Sequence, residues 1–225
     1  MVQRPWGTSA APARIAIVAR MTGVTTTSGA EGLVEHRIAG RLSVFATRLP
    51  EELGRAGAAG FAELWALRPE RFHTITQPFT GRTIPLPRWQ QAYGRDYRYS
   101  GSVNRALPVP APLAPYLDWA CRHLDARLNG LLLNWYDAAL RHYIGPHRDS
   151  TAGLVEGAPI ATISLGATRL FRLRPKGGAS VDFPATHGSV FMVPWETNLG
   201  AKHAVPHRAD DTGRRISITL RAFAD

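Results

Sequence analysis

The sequence predicts an α+β protein, a double-stranded β-helix (jelly roll) with N-terminal helices packed on one sheet. Three observations carry this. The helical patterns lie before residue 130. From Leu131 onward the chain becomes a run of short β-rich segments bounded by Gly or Pro. The last of these, "RRISITLRAF", alternates apolar and polar residues from Arg215 without a break. Helices followed by many strands imply helices on one side of a largely antiparallel sandwich, and two such facing sheets make a jelly roll.

Taken in order, residues 1–12 are rich in Pro, Ala and Ser and are expected to be flexible. "RIAIVAR" (14–20) and "RLSVFATRLP" (41–50) read as strands, the second closed by Pro50. "EELGRAGAAGFAELWAL" (51–67) reads as one helix, with acidic residues in its first turn and Leu53, Phe61, Leu64 and Leu67 able to share a face. Residues 73–112 read as loops with short strands. "PYLDWACRHLDARL" (115–128) is a second helix, with Pro115 in its first turn and Leu117, Ala120, Leu124 and Leu128 on one stripe. The strands that follow are "LLLNWY", "APIATISLG", "ATRLFRLRP", "SVDFP", "GSVFMVP" and "RRISITLRAF". The expected organisation is a flexible residue 1–12 segment, an N-terminal region 13–112 and a jelly-roll core 113–225, the last two forming one structural domain.

The chain of 225 residues is long enough for a sizeable core. It has one cysteine, Cys121, so disulfides play no part, and no apolar run long enough for a membrane helix. Its start does not read as a signal peptide. A cytoplasmic monomer is the expectation. The net charge of +10 suits a polyanionic partner such as nucleic acid, although simple solubility would also account for it.

"HYIGPHRDST" (142–151) places a Gly-Pro bend before His147-Arg148-Asp149. On extended backbone, residues i and i+2 share a face roughly 6–7 Å apart. His147 and Asp149 would then supply two ligands of a two-His, one-carboxylate metal site. His123-Leu124-Asp125 has the same spacing within a helical pattern, where i and i+2 diverge, and is read as a surface pair. The third ligand must come from a distant segment, and His187, His203 and His207 are the candidates. On the final strand Arg215, Ser217, Thr219 and Arg221 face one way, and Ile216, Ile218 and Leu220 the other. The two Arg Cα atoms lie roughly 20 Å apart, so inward-leaning guanidiniums leave room for a small dianion. The competing reading is an edge strand with exposed Arg.

From about Pro85 to Phe223 the chain resembles the AlkB-type Fe(II)/2-oxoglutarate-dependent dioxygenases. The matching segments are "PRWQQAYG", "YRYSG", "NWY", "YIGPHRD", "APIATISLGATRLFRLR", "GSVFMV", "KHAVPHR" and "RISITLR", in order and at approximate family spacing. The resemblance implies Fe(II) held by His147, Asp149 and His203, with 2-oxoglutarate and O2 as co-substrates. It implies 2-oxoglutarate binding by Asn134, Tyr136, Arg215, Ser217 and Arg221, with Arg215 at the distal carboxylate and Arg221 and Asn134 at the iron end. It makes Pro85–Gly101 a substrate lid, with Tyr99 as a base-stacking platform; core packing of Tyr99 and Trp89 is the alternative. Arg88, Tyr99, Arg148, Thr151 and Lys202 are the expected substrate-facing residues. The implied reaction is oxidative demethylation of alkylated nucleobases in DNA or RNA. Three departures bear on substrate: Thr151 where repair members carry an acidic residue, Lys202 where an aromatic precedes the distal His, and a longer Asn134–His147 spacing. They leave open a hydroxylase of a small molecule, peptide or protein side chain.

Overall fold

The computed structural model describes residues 25–28, 32–76, 80–99 and 101–225. The expected flexible segment 1–12 and the strand expected at 14–20 lie outside the described residues. The N-terminal part forms β1 (Thr25–Ser28), β2 (Val34–Ala39), β3 (Leu42–Arg48), α1 (Glu51–Ala59) and α2 (Phe61–Ala66). Two small hairpins, β4 (Thr74–Thr76) with β5 (Thr83–Pro85) and β7 (Tyr97–Tyr99) with β8 (Ser102–Asn104), flank β6 (Trp89–Tyr93). After α3 (Ala114–His123) come β9 (Gly130–Asp137), β10 (Ile144–His147), β11 (Ile160–Gly166), β12 (Arg169–Pro175), β13 (Val181–Ala185) and β14 (Ser189–Val193). The chain ends with α4 (Trp195–Gly200), β15 (Ala201–Val205) and β16 (Arg214–Arg221).

The strands form two facing antiparallel sheets, as the jelly-roll reading requires. Among the described residues the larger sheet runs β1-β2-β3-β14-β11-β16-β9-β6 and the smaller β10-β15-β12-β13. β16 lies between β11 and β9 and is buried from Arg215 to Arg221, which rules out the exposed-edge reading of its arginines. Its alternation sorts the two faces. Ile216, Ile218 and Leu220 turn outward and join Leu133, Trp135, Ile163 and Leu165 against Leu64, Trp65, Tyr116, Trp119 and Ala120 of the helices. The opposite face, with Arg215, Ser217, Thr219 and Arg221, turns into the space between the sheets. That space is apolar around Phe171, Leu173, Phe183, Phe191 and Val193, and polar where the arginines lie.

Gly57 lets α1 approach the sheet, because a Cβ there would sit 2.7 Å from Tyr116 Oη and 2.9 Å from Leu165 Cδ2. The single helix expected over 51–67 is two helices. Gly60 lies between them, ending α1 with its N–H bonding Ala56 O at 2.8 Å and serving as the N-cap of α2. The stripe nevertheless holds: Leu53, Phe61, Leu64 and Leu67 all meet the same core. The second helix stops at His123, short of the expected Leu128. The segment "ETNLGAK" folds as the rest of α4 and the start of β15; the six residues of α4 are too few to display a helical period. No helix among the described residues is long and apolar enough to cross a membrane.

Candidate active site

β10 and β15 are neighbours in the smaller sheet, and their register pairs His147 with His203. The two rings lie 4.2 Å apart, centroid to centroid. β10 ends at His147, so Asp149 is not on the strand as expected; it follows the strand end and turns back towards both rings. Its Oδ1 lies 3.5 Å from His147 Nε2 and 3.6 Å from His203 Nε2. What aims it is Asn198 on α4: Asn198 Oδ1 accepts from Asp149 N at 3.0 Å and Asn198 Nδ2 donates to Asp149 O at 3.1 Å. Arg221 Nε and Nη2 donate to Asp149 Oδ2 at 2.9 and 2.6 Å, and Tyr97 Oη donates to Oδ1 at 3.1 Å. Burial alone would raise the Asp149 carboxyl, but the Arg221 guanidinium and the two imidazoles hold it well below the usual carboxylate range. Burial, then His147, pushes the His203 imidazole down towards its neutral form.

The other histidines weighed as ligands are accounted for elsewhere. His187 bonds Gly54 O and Gly166 N, and His207 Nε2 accepts from Arg141. His123 stacks on Trp119, and Asp125 pairs with Arg127. Among the described residues, His147, Asp149 and His203 are the group of potential ligands whose donor atoms all lie within 4.8 Å of one another.

Further along the interior face, Arg215 Nε donates to Ser164 Oγ at 2.8 Å and its guanidinium lies 5.2 Å from the Tyr136 ring centroid. Among the described residues no carboxylate pairs with Arg215. Asn134 and Ser217 are register partners, as are Tyr136 and Arg215. All five residues expected at 2-oxoglutarate are therefore buried and grouped on β9 and β16.

The expected substrate residues divide. Tyr99 is half-buried, stacks on Tyr97 with centroids 5.3 Å apart, and lines a pocket of 260 Å³ with Ser102 and Ser150. Trp89 instead packs in an aromatic cluster with Trp65, Phe72 and His142. Thr151 is half-buried in the loop beyond Asp149. Arg88 does not face outward: it is buried, donating Nε to Asn134 Oδ1 at 2.7 Å and Nη2 to Gln90 Oε1 at 2.9 Å. Lys202 precedes His203 on a strand and so takes the opposite face. There it lines a groove of 650 Å³ with Arg148, Arg174 and Lys176. Tyr97, Ser164 and Asn198 were not singled out from the sequence. Ser164 was within reach, since alternation along "ATISLG" puts it inward. Tyr97 and Asn198 depend on how distant segments meet.

The residues present fit both expected groups. Two imidazole nitrogens and a carboxylate oxygen converging from one side suit a ferrous ion with open positions. One imidazole is held neutral and the carboxylate ionised, which are the ligating forms. Arg215 and Arg221 each retain a buried Nη1 without an acceptor, at the two ends of the inward face of β16. Two guanidiniums so placed fit a dianion with a carboxylate at each end.

Comparison with known proteins agrees. Residues 62–221, more than half of the chain, match the family model of the 2OG-Fe(II) oxygenase superfamily. DNA oxidative demethylase ALKBH2 of Homo sapiens is 32% identical over 63% of this chain and 58% of its own length. Alpha-ketoglutarate-dependent dioxygenase alkB homolog 3 of Rattus norvegicus is 29% identical over 62% of this chain and 51% of its own. The chain thus spans less than two thirds of either relative. The solved structure of OsALKBH1 superposes with a TM-score of 0.54 over 82% of this chain and 98% of that one, at 13% identity, a likeness of fold. These relatives bear out the AlkB-type resemblance of the motifs, and the chain belongs to the 2OG-Fe(II) oxygenase superfamily.

Proposed function

We propose that this protein is an AlkB-like Fe(II)/2-oxoglutarate-dependent dioxygenase that oxidatively demethylates alkylated nucleobases in nucleic acid. The observation that carries the reading is the convergence of His147, Asp149 and His203 in the same interior that receives Arg215 and Arg221. When bound, Fe(II) with 2-oxoglutarate and O2 supplies the oxidation that places a hydroxyl on an N-methyl carbon, which then leaves as formaldehyde. The protein's own residues do the holding. His147, Asp149 and His203 take the metal on one side. Arg215, with Tyr136 and Ser164 beside it, binds the distal carboxylate of 2-oxoglutarate, while Arg221 and Asn134 serve the end nearest the metal, with Ser217 between. Burial of the arginines makes these charge-assisted pairs stronger than they would be in water.

The pocket beside Tyr99 supports a flipped-out base, since this aromatic residue lines it together with Ser150, the neighbour of Asp149. The relatives' names and the +10 charge favour nucleic acid. The second reading, a hydroxylase of a small molecule or protein side chain, rests on Thr151 in place of an acidic residue; Lys202 supports it less, because it faces away from the interior. The deciding assay offers methylated oligonucleotides and a small-molecule panel in parallel and measures succinate and formaldehyde. The expected outcome is Fe(II)-dependent succinate matched by formaldehyde from the oligonucleotides. Coupled turnover with a small molecule and none with any oligonucleotide would overturn the substrate assignment.

A further inference from the structure

Arg88 is a buried cation in the interior with no carboxylate partner among the described residues. Its position in "PRWQQAYG" predicts a substrate-facing residue, yet its recorded hydrogen bonds run to Asn134 Oδ1 at 2.7 Å and Gln90 Oε1 at 2.9 Å. Gln90 and Asn134 are cross-strand partners on β6 and β9, so Arg88 braces two adjacent strands on their interior face. A guanidinium has five donors and no acceptor. An amide facing it must present oxygen, because nitrogen there would set donor against donor. The orientation of the Asn134 amide is therefore dictated by Arg88. Its Nδ2, which bonds nothing among the described residues, is left as a donor on the far side of the amide.

We infer that Arg88 is a positioning residue for 2-oxoglutarate: it locks the Asn134 amide so that Nδ2 donates to the co-substrate carboxylate. This rests on the co-substrate role proposed above for Asn134. A carboxylate accepts only, so an amide rotated by half a turn would present it with oxygen and repel it. Arg88 removes that alternative.

The test is a double-mutant cycle read by calorimetric binding of 2-oxoglutarate to the full chain loaded with Mn(II), so that no turnover is involved. Arg88→Met and Asn134→Ala should each weaken binding by about tenfold, the worth of one charge-assisted hydrogen bond. The double variant should be no weaker than the worse single, because each change removes the same interaction. Arg88→Lys, which restores one donor, should recover part of the loss. It also serves in place of Arg88→Met if that variant does not fold, as judged by its melting temperature without ligand. Affinity of the same metal-loaded protein for a methylated oligonucleotide should change less than affinity for 2-oxoglutarate. Losses that multiply in the double variant, or a loss confined to oligonucleotide affinity, would overturn the inference. Failure of the unmodified protein to bind 2-oxoglutarate with Mn(II) would instead remove the co-substrate reading on which it stands.

Discussion

Tyr97 and Arg221 each hold one oxygen of the Asp149 carboxylate, and the oxygen bonded by Tyr97 is the one that faces both imidazoles. Tyr97→Phe removes the bond to Oδ1 while its ring can still stack on Tyr99 and lie 4.3 Å from the Arg221 guanidinium. Loss of an outer hydrogen bond to a ligand typically costs about 10–100-fold in metal affinity, and Tyr97→Phe should lie near the lower end of that range. A Co(II) titration followed by absorbance would show it; unchanged affinity would mean that Arg221 alone fixes the carboxylate. The His-x-Asp pair was legible from its chemistry and short separation, although what brings Asp149 beside His147 is a turn after β10 and not extended backbone. Spacing alone did not distinguish His203 from His187 and His207. What separates them is the strand pairing that sets His203 beside His147, and the bonds that occupy His187 and His207 elsewhere. The burial of Arg88 was hidden for a related reason: nothing in a local pattern tells a buried guanidinium from an exposed one when its partners, Gln90 and Asn134, are amides rather than acids.

At the scale of elements, β16 announces itself and α4 does not. Seven residues of strict alternation predicted which face of β16 is apolar and that Arg215 and Arg221 share the other, and the sheet obeys. α4 is six residues long after Pro194, yet it supplies Asn198, whose amide satisfies both the N–H and the C=O of Asp149. It also supplies Thr197, which exchanges hydrogen bonds with the Ser43 backbone of β3. The short helix thus pins the Asp149 turn to β3 of the larger sheet. Asn198→Ala leaves two buried backbone groups unpaired, at about 1–3 kcal/mol each. The expected result is a lower melting temperature together with weaker Co(II) binding. Asn198→Asp, which keeps the acceptor but sets a buried carboxylate oxygen against the Asp149 carbonyl, should melt no higher than Asn198→Ala. A variant that melts earlier but binds Co(II) as tightly as the parent would show that the turn holds its shape without the clamp.

For the whole molecule the question is where the charge of +10 resides. The segments that carry the metal ligands inward carry cations outward. Arg148 stands between His147 and Asp149, and Lys202 precedes His203; Lys202 pairs in register with Arg174, and Lys176 follows Pro175. These four line the 650 Å³ groove without an acidic residue among its lining, and none of them forms an ion pair among the described residues. The sequence, with its scattered arginines and no basic block, gave no sign of this clustering, because it arises from cross-strand register. Phosphate contacts made by such a groove release counterions, so affinity falls with salt by about 0.7 log units per log unit for each contact to a single strand. Arg174→Ala with Lys202→Ala should therefore lower the slope of oligonucleotide affinity against salt by about 1.4, twice that per-contact value. The control removes the same charge from the helical side: Arg55→Ala with Arg122→Ala, both exposed, on α1 and α3. If the groove is where phosphates bind, the slope changes in the first pair and not in the second. Equal changes in both pairs would mean that the net charge attracts nucleic acid without a defined path across the surface.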